Sequence, residues 1–190
     1  MNESRGETEN FGHTSASREW WGAVKEGISI LVIAFVLSLL LKAFVVEARI
    51  IPSGSMLPTI QENDRVLVNK FIYRFGPVER FDIIVFEPPV ETGHHEDFIK
   101  RVIGLPGEKV EIRNGTVYIN DQPLEENFAH EKPNYSFGPV TVPPNALFVM
   151  GDNRNRSFDS HLWTGWLTLD RVKGKAFCIY WPPQHLGKLD

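Results

Sequence analysis

Hydrophobic and polar positions divide the chain into three stretches. Residues 1 to 27 are polar, with Glu3, Glu7, Glu9, Glu19 and Glu26 set among Arg5, Arg18 and Lys25, a composition that predicts an open tail. From Ile28 to Val46 the sequence reads ISILVIAFVLSLLLKAFVV, interrupted only by Ser29, Ser38 and Lys42. At about 1.5 Å per residue this run is roughly 28 Å long, close to the roughly 30 Å hydrocarbon core of a bilayer. It is apolar on all sides, which predicts a transmembrane helix rather than an amphipathic core helix, and a cleavable leader would carry a shorter apolar region nearer the N-terminus. Lys42 can snorkel to one interface, and Trp20 and Trp21 suit the other. Arg18 and Lys25 before the span are matched by Arg49 and Arg65 after it, so the charges do not orient it.

After Val46 the period changes. Short apolar or alternating runs at 65–68, 82–86, 98–103, 109–112, 116–119, 146–150 and 176–181 are separated by Gly, Pro, Asn and Asp, the pattern of strands and turns. Glu111 to Asn120 is the clearest hairpin, because Asn114-Gly115 supplies the positive φ angles that a type I′ turn requires. No useful helical period follows the span. The fold class expected is therefore mostly β: a single N-terminal transmembrane helix followed by one β-rich domain over residues 47–190.

Composition narrows the function. A chain of 190 residues with 42% hydrophobic content has room for one anchor and one ordinary domain. The net charge of −4, with Lys and Arg scattered, argues against a nucleic-acid partner. Cys178 is the single cysteine, so no internal disulfide and no cysteine-rich zinc site can form, and its apolar flanks suit packing better than nucleophilic chemistry. Adjacent histidines on an extended chain point opposite ways, so His94-His95 is a poor chelate and no metal is expected.

Three segments could carry chemistry. Ser55 lies in IPSGSMLPT, directly after the apolar run, and a serine hydroxyl needs a neighbouring base to become a nucleophile. Taken alone, Ser-Gly-Ser between prolines is also an ordinary turn. In FIKRVIGLPGE an extended strand puts Phe98, Lys100 and Val102 on one face, where the amine would be desolvated, and Arg101 on the other; two solvated charges on an edge strand would read the same way. The third segment, GDNRNRSFDSH, is dense in turn formers and opposite charges, as an ordered polar loop or a solvated one would be.

Together these pieces resemble the type I signal peptidase family, membrane-anchored serine proteases that remove signal peptides from exported proteins. IPSGSMLPT, DRVLVNKF, RFDIIVF, FIKRVIGLPGE and GDNRNRSFDS run in the family's order, over roughly residues 28 to 181. The resemblance implies a Ser/Lys dyad, with Ser55 as nucleophile and Lys100 as general base, and no cofactor. It also implies an oxyanion site from the Ser55 N–H and the Ser53 hydroxyl, a lysine-orienting hydroxyl at Ser157, and a supporting carboxylate at Asp159, with Asp152 free to pair with Arg101. His161 departs from the arginine that many members carry there, which puts an Asp159 salt bridge in question, and Thr164 separates Trp163 from a glycine that usually follows it directly.

By the same resemblance the substrates are secretory preproteins with small residues at −1 and −3 of the cut. Shallow pockets are expected from residues near Ile51, Pro52 and the strand around Val66 and Ile84, with exposed aromatic residues among Trp163, Trp166 and Trp181 resting the domain on lipid. The tail is expected in the cytoplasm and the catalytic domain outside it, at the plasma membrane or an internal membrane such as the thylakoid. Two readings compete: a soluble self-cleaving regulator with the same dyad, against which the anchor before Ser55 and GDNRNRS speak, and a non-catalytic tethered β domain indifferent to loss of Ser55.

Overall fold

The structure is a computed structural model and describes residues 15–189. Residues 1–14 of the expected tail lie outside the described residues. The chain falls into two units, one ending at Lys42 and the other starting at Ala43. Helix α1 runs over Ser15–Phe44, so the polar stretch from Ser15 to Gly27 is helical rather than open. Large apolar side chains such as Leu31, Ile33 and Phe35 are exposed along it. Among the described residues no helix is long and apolar enough to cross a membrane.

The expected span over 28–46 also ends early. Val46 already belongs to strand β1 (Val46–Ile50), which pairs antiparallel with β2 (Arg65–Asn69), Val46 opposite Asn69 and Ile50 opposite Arg65. The apolar run gives way there to Val46-Glu47-Ala48-Arg49-Ile50, whose alternation has the period of a strand, with Ala48 and Ile50 on its exposed face.

The remaining strands are β3 (Ile83–Phe86), β4 (Phe98–Gly104), β5 (Lys109–Arg113), β6 (Thr116–Ile119), β7 (Gln122–Pro123), β8 (Phe137–Thr141), β9 (Ala146–Met150), β10 (Leu167–Thr168), β11 (Val172–Trp181) and β12 (Gly187–Lys188). They form an eight-stranded sheet in the order β1-β2-β11-β3-β4-β9-β10, with β12 on β11, and a four-stranded sheet in the order β7-β6-β5-β8. Asn114 and Gly115 take φ of 51° and 72° at the β5–β6 turn, as a type I′ hairpin demands.

The large sheet carries a core on each face. Ile83 and Val85 join Ile51, Met56, Ile60, Val66 and Ile99 on one side. Ile84 and Phe86 join Val102, Leu147, Val149 and Trp163 on the other. Covered on both faces, β3 has no polar position, which is why Ile83-Ile84-Val85-Phe86 does not alternate. The small sheet packs Val110, Ile112, Val117 and Ile119 against Ile103, Phe148 and Met150 of the large one.

Gly104 lies at this seam, beside a register shift between Val102 and Gly104. A Cβ there would stand 2.6 Å from Val110 Cγ2 and 2.9 Å from Phe148 Cβ, closer than packed carbons approach. Gly104→Ala is therefore expected to lower unfolding stability by about 1–3 kcal/mol, the usual range for overpacking a core. Gly76→Ala, which meets nothing within 4 Å, is the matched control and should stay near wild type in the same urea titration.

Candidate active site

The segment after β1 is tied down before it reaches Ser55. Ile51 is buried, donating its N–H to the Asp64 carbonyl at 2.9 Å and accepting from Asn63 N–H at 2.8 Å. A single 3-10 turn, Gly54–Met56, then presents Ser55 while Met56 and Ile60 enter the core. Asn153 holds that turn from the opposite loop: its side-chain amide donates to the Gly54 carbonyl at 3.0 Å and its backbone N–H to the Ser55 carbonyl at 3.1 Å. Ser55 is consequently fixed at its backbone and buried apart from a narrow opening.

Lys100 comes to it from the middle of β4. The β3–β4 register sets Ile84 opposite Lys100 and Phe86 opposite Phe98, so the lysine stem stands on an apolar face. Lys100 Nζ lies 2.8 Å from Ser55 Oγ, donates to the Ile99 carbonyl at 2.9 Å, and sits 5.2 Å from the centre of the Phe98 ring. Burial pulls its pKa down to about 8, while the Asp159 and Asp152 carboxylates pull upward and lose. They lose because each has other partners.

Asp152, fully buried, forms a bidentate pair with Arg101 at 2.9 Å for both bonds, and it accepts from Thr59 Oγ1 at 2.6 Å. Arg101 also donates to the Phe81 carbonyl at 3.0 Å and lies 4.1 Å from the Phe128 ring centre. Alternation along β4 thus sends Arg101 to the face opposite Lys100, as the sequence pattern implies. Asp159, also fully buried, accepts from Gly151 N–H at 2.9 Å and meets His161 Nδ1 at 2.6 Å. His161 is therefore the side-chain partner of Asp159.

Ser53 Oγ lies 3.4 Å from Ser55 Oγ. Ser157 Oγ is buried without a hydrogen-bond partner, and the Lys100 amine bonds to Ser55 and Ile99 instead. Gly151 forms the floor of the site: a Cβ there would run into Ser157 Oγ and the Ser55 carbonyl oxygen. Asn153, Thr59 and Gly151 were not singled out from sequence. Asn153 and Gly151 fall within GDNRNRS, but its composition does not say which side chain reaches the Ser55 turn.

A cleft of about 500 Å³ opens over Ser55 and Lys100, with walls that include Pro52, Leu57, His94, Phe98 and Phe158. Two expectations about its surroundings are corrected. Val66 and Ile84 are completely buried in the two cores, Ile84 serving to dehydrate Lys100 rather than to line the opening. Trp163 is buried against Phe86 and Phe98, and Trp166 packs on the small-sheet core, which leaves Trp181 as the exposed tryptophan of the three.

The Arg101–Asp152 pair gives a stability test. Removing one member of a buried pair strands the other charge at a cost of about 3–5 kcal/mol, whereas an exposed pair contributes less than about 1 kcal/mol. Arg101→Met should therefore shift the urea midpoint strongly, and Lys109→Met, at the exposed Lys109–Asp121 pair, hardly at all.

Known proteins are similar to this chain in sequence. The family described as "Signal peptidase, peptidase S26" matches residues 24–181. A signal peptidase I of Leptolyngbya laminosa is 48% identical over 86% of this chain and 83% of its own length. A signal peptidase I of Bacillus licheniformis is 35% identical over 87% of this chain and 92% of its own. The chloroplastic thylakoidal processing peptidase 1 of Arabidopsis thaliana is 40% identical over 81% of this chain and 47% of its own. With a buried Ser55–Lys100 contact at the base of its cleft and this similarity along most of its length, the chain belongs to the signal peptidase family, peptidase S26.

Proposed function

We propose that the chain is a membrane-anchored serine endopeptidase that removes signal peptides from exported preproteins, with Ser55 as nucleophile and Lys100 as general base. The observation that carries this reading is the 2.8 Å contact between Lys100 Nζ and Ser55 Oγ, made by an amine that is almost completely buried. A pKa of about 8 leaves roughly one amine in ten neutral at pH 7, against roughly one in 2,500 for an ordinary lysine. That gain of over two orders of magnitude in base is what a serine without a histidine needs.

A neutral amine has two N–H bonds and one lone pair. One N–H donated to the Ile99 carbonyl turns the lone pair toward Ser55, whose proton passes to Lys100 as Oγ attacks the scissile carbonyl. The oxyanion is received by the Ser55 backbone N–H and the Ser53 hydroxyl. The lysine ammonium then gives its proton to the departing amine nitrogen, the peptide bond breaks, and an acyl-Ser55 ester remains. Water enters, Lys100 takes its proton, and hydrolysis of the ester restores both side chains. Asp152 with Arg101 and Asp159 with His161 support the lysine's surroundings, and Ser157 packs beside Gly151. No metal or organic cofactor takes part.

Small residues at −1 and −3 of the substrate are the specificity we assign, in keeping with the signal-peptide cleavage pattern. The apolar part of α1 from Ile28 to Phe44 supplies the anchor in this reading, with the N-terminus in the cytoplasm and the β domain outside it, at the plasma membrane. The similarity to a thylakoidal processing peptidase supports a thylakoid membrane as the alternative location in this reading.

Detergent-solubilised protein should cut a preprotein bearing an A-x-A site, and folded Ser55→Ala and Lys100→Met should each lose at least about 1,000-fold in kcat/KM. Because the base works when neutral, kcat/KM should rise with pH through a midpoint near 8, gaining roughly ten-fold from pH 7 to pH 9. Cleavage that persists in either folded variant, or a flat profile across that window, would remove the dyad from the mechanism.

A further inference from the structure

The segment GDNRNRS carries two arginines with different surroundings. Arg154 is only 1% exposed: it meets Glu126 through two bonds, of 2.7 and 2.6 Å, and donates to the Gly151 carbonyl at 3.1 Å, so its charge is neutralised inside the fold. Arg156 is exposed, and its guanidinium makes no ion pair or hydrogen bond among the described residues. It nevertheless forms part of the wall of the cleft over Ser55 and Lys100.

The backbone places it there. Asn153, which bonds to the Gly54 and Ser55 carbonyls, accepts from the Arg156 N–H at 2.9 Å and so ties this turn to the nucleophile. Ser157 follows in an extended conformation, with φ −127° and ψ 126°, and is buried against Gly151. Neighbours of an extended residue point away from its side chain, so Arg156 and Phe158 face outward together, and both line the cleft. Phe158, 41% exposed, leans on Phe98 and Trp163 with ring centroids 6.5 and 6.3 Å away. A charge beside such an aromatic wall attracts its opposite more strongly than a charge in open water does.

The other charges of the cleft leave Arg156 without a partner. Lys100 is engaged with Ser55, and Asp97 is paired with Arg49 at 2.9 Å and Lys173 at 2.6 Å. Glu62, whose carboxylate lies beside Gly54, and Glu96 also line the cleft, and neither pairs with Arg156. An incoming carboxylate is therefore repelled by these two groups and drawn to Arg156. The period of an extended substrate says which side chains it can meet: −1 and −3 share one face, which turns to the buried floor, and −2 and +1 share the other.

We propose that Arg156 is a specificity-determining residue for the cut: its guanidinium at the rim of the cleft selects preproteins with an acidic side chain next to the −1 residue, at −2 or at +1. The inference rests on the signal-peptide endopeptidase reading and adds a charge preference to the small residues at −1 and −3.

The test uses full-length protein in detergent and pairs of A-x-A preproteins that carry Glu or Lys at −2, or Glu or Lys at +1, cut in competition. Wild type should favour Glu over Lys by at least about three-fold in kcat/KM at one of the two positions, and that position identifies the side chain that is read. Arg156→Gln should lower this ratio and Arg156→Glu should invert it, moving it at least about ten-fold from wild type, since attraction is replaced by repulsion. The preference should shrink as salt rises from about 0.05 M to about 0.5 M. Arg113→Glu, the same change of net charge at an exposed arginine of β5, should keep the wild-type ratio. Equal ratios in wild type and both Arg156 variants at both positions, or an equal shift in Arg113→Glu, would overturn the proposal, and if one Arg156 variant does not fold the other decides. Folded Ser55→Ala should bind labelled peptides of the same sequences in the same order by fluorescence anisotropy, with the order inverted when Arg156→Glu is added. That binding order needs no turnover, so it decides the role of Arg156 even if wild type fails to cut or folded Ser55→Ala still cuts, the results that count against the endopeptidase reading itself.

Discussion

The account depends on one dehydrated amine. Lys100 lies in the covered centre of the large sheet, where Ile84 opposite it and Phe98 beside it exclude water, and its head reaches only Ser55 and one backbone carbonyl. An ammonium there loses solvation that two hydrogen bonds do not return, so the neutral form gains. Two carboxylates stand near enough to reverse this. They do not, because Asp152 is committed to Arg101 and Thr59, and Asp159 to His161 and Gly151. The period of a strand makes this possible: neighbouring basic residues point to opposite faces, so Arg101 neutralises a carboxylate while Lys100 stays alone.

The loop from Gly151 to His161 frames the same site from the other side. Asn153 reaches the carbonyls of Gly54 and Ser55, and Gly151 lets the backbone approach the Ser55 carbonyl where any side chain would collide. Asp159 braces Gly151, and His161 braces Asp159. The nucleophile and its base thus come from different segments, Ser55 from a short turn and Lys100 from a strand, and their separation is fixed by side chains of a third. Such support is what holds reacting atoms to within tenths of an ångström.

Much of this was legible in the chain. The strands from Arg65 to Ile119 and at Ala146–Met150 were read from their apolar runs, and the Asn114-Gly115 turn from the backbone it requires. β8 escaped because Gly138 and Pro139 interrupt it, which an edge strand tolerates and a central one does not. β1 was read as the end of the apolar run because Val45 and Val46 continue it, although alternation begins at Val46. β11 extends back to Val172 past Lys173, Gly174 and Lys175, polar positions on a strand paired along both edges, with β2 and β3. Lys100 and Arg101 could be assigned to opposite faces from period alone. The Asp159–His161 contact and the Asn153 bonds could not, since a polar loop that braces a site and one that meets only solvent have the same composition.

The most direct measurement is the titration of Lys100 itself in the folded, full-length protein, followed by the NMR shift of its ε-carbon from pH 6 to pH 11. A midpoint near 8 is the result this account predicts. A midpoint near the ordinary lysine value of about 10.4 would mean that the amine is solvated as an ammonium, and Lys100 could not then serve as the base for Ser55.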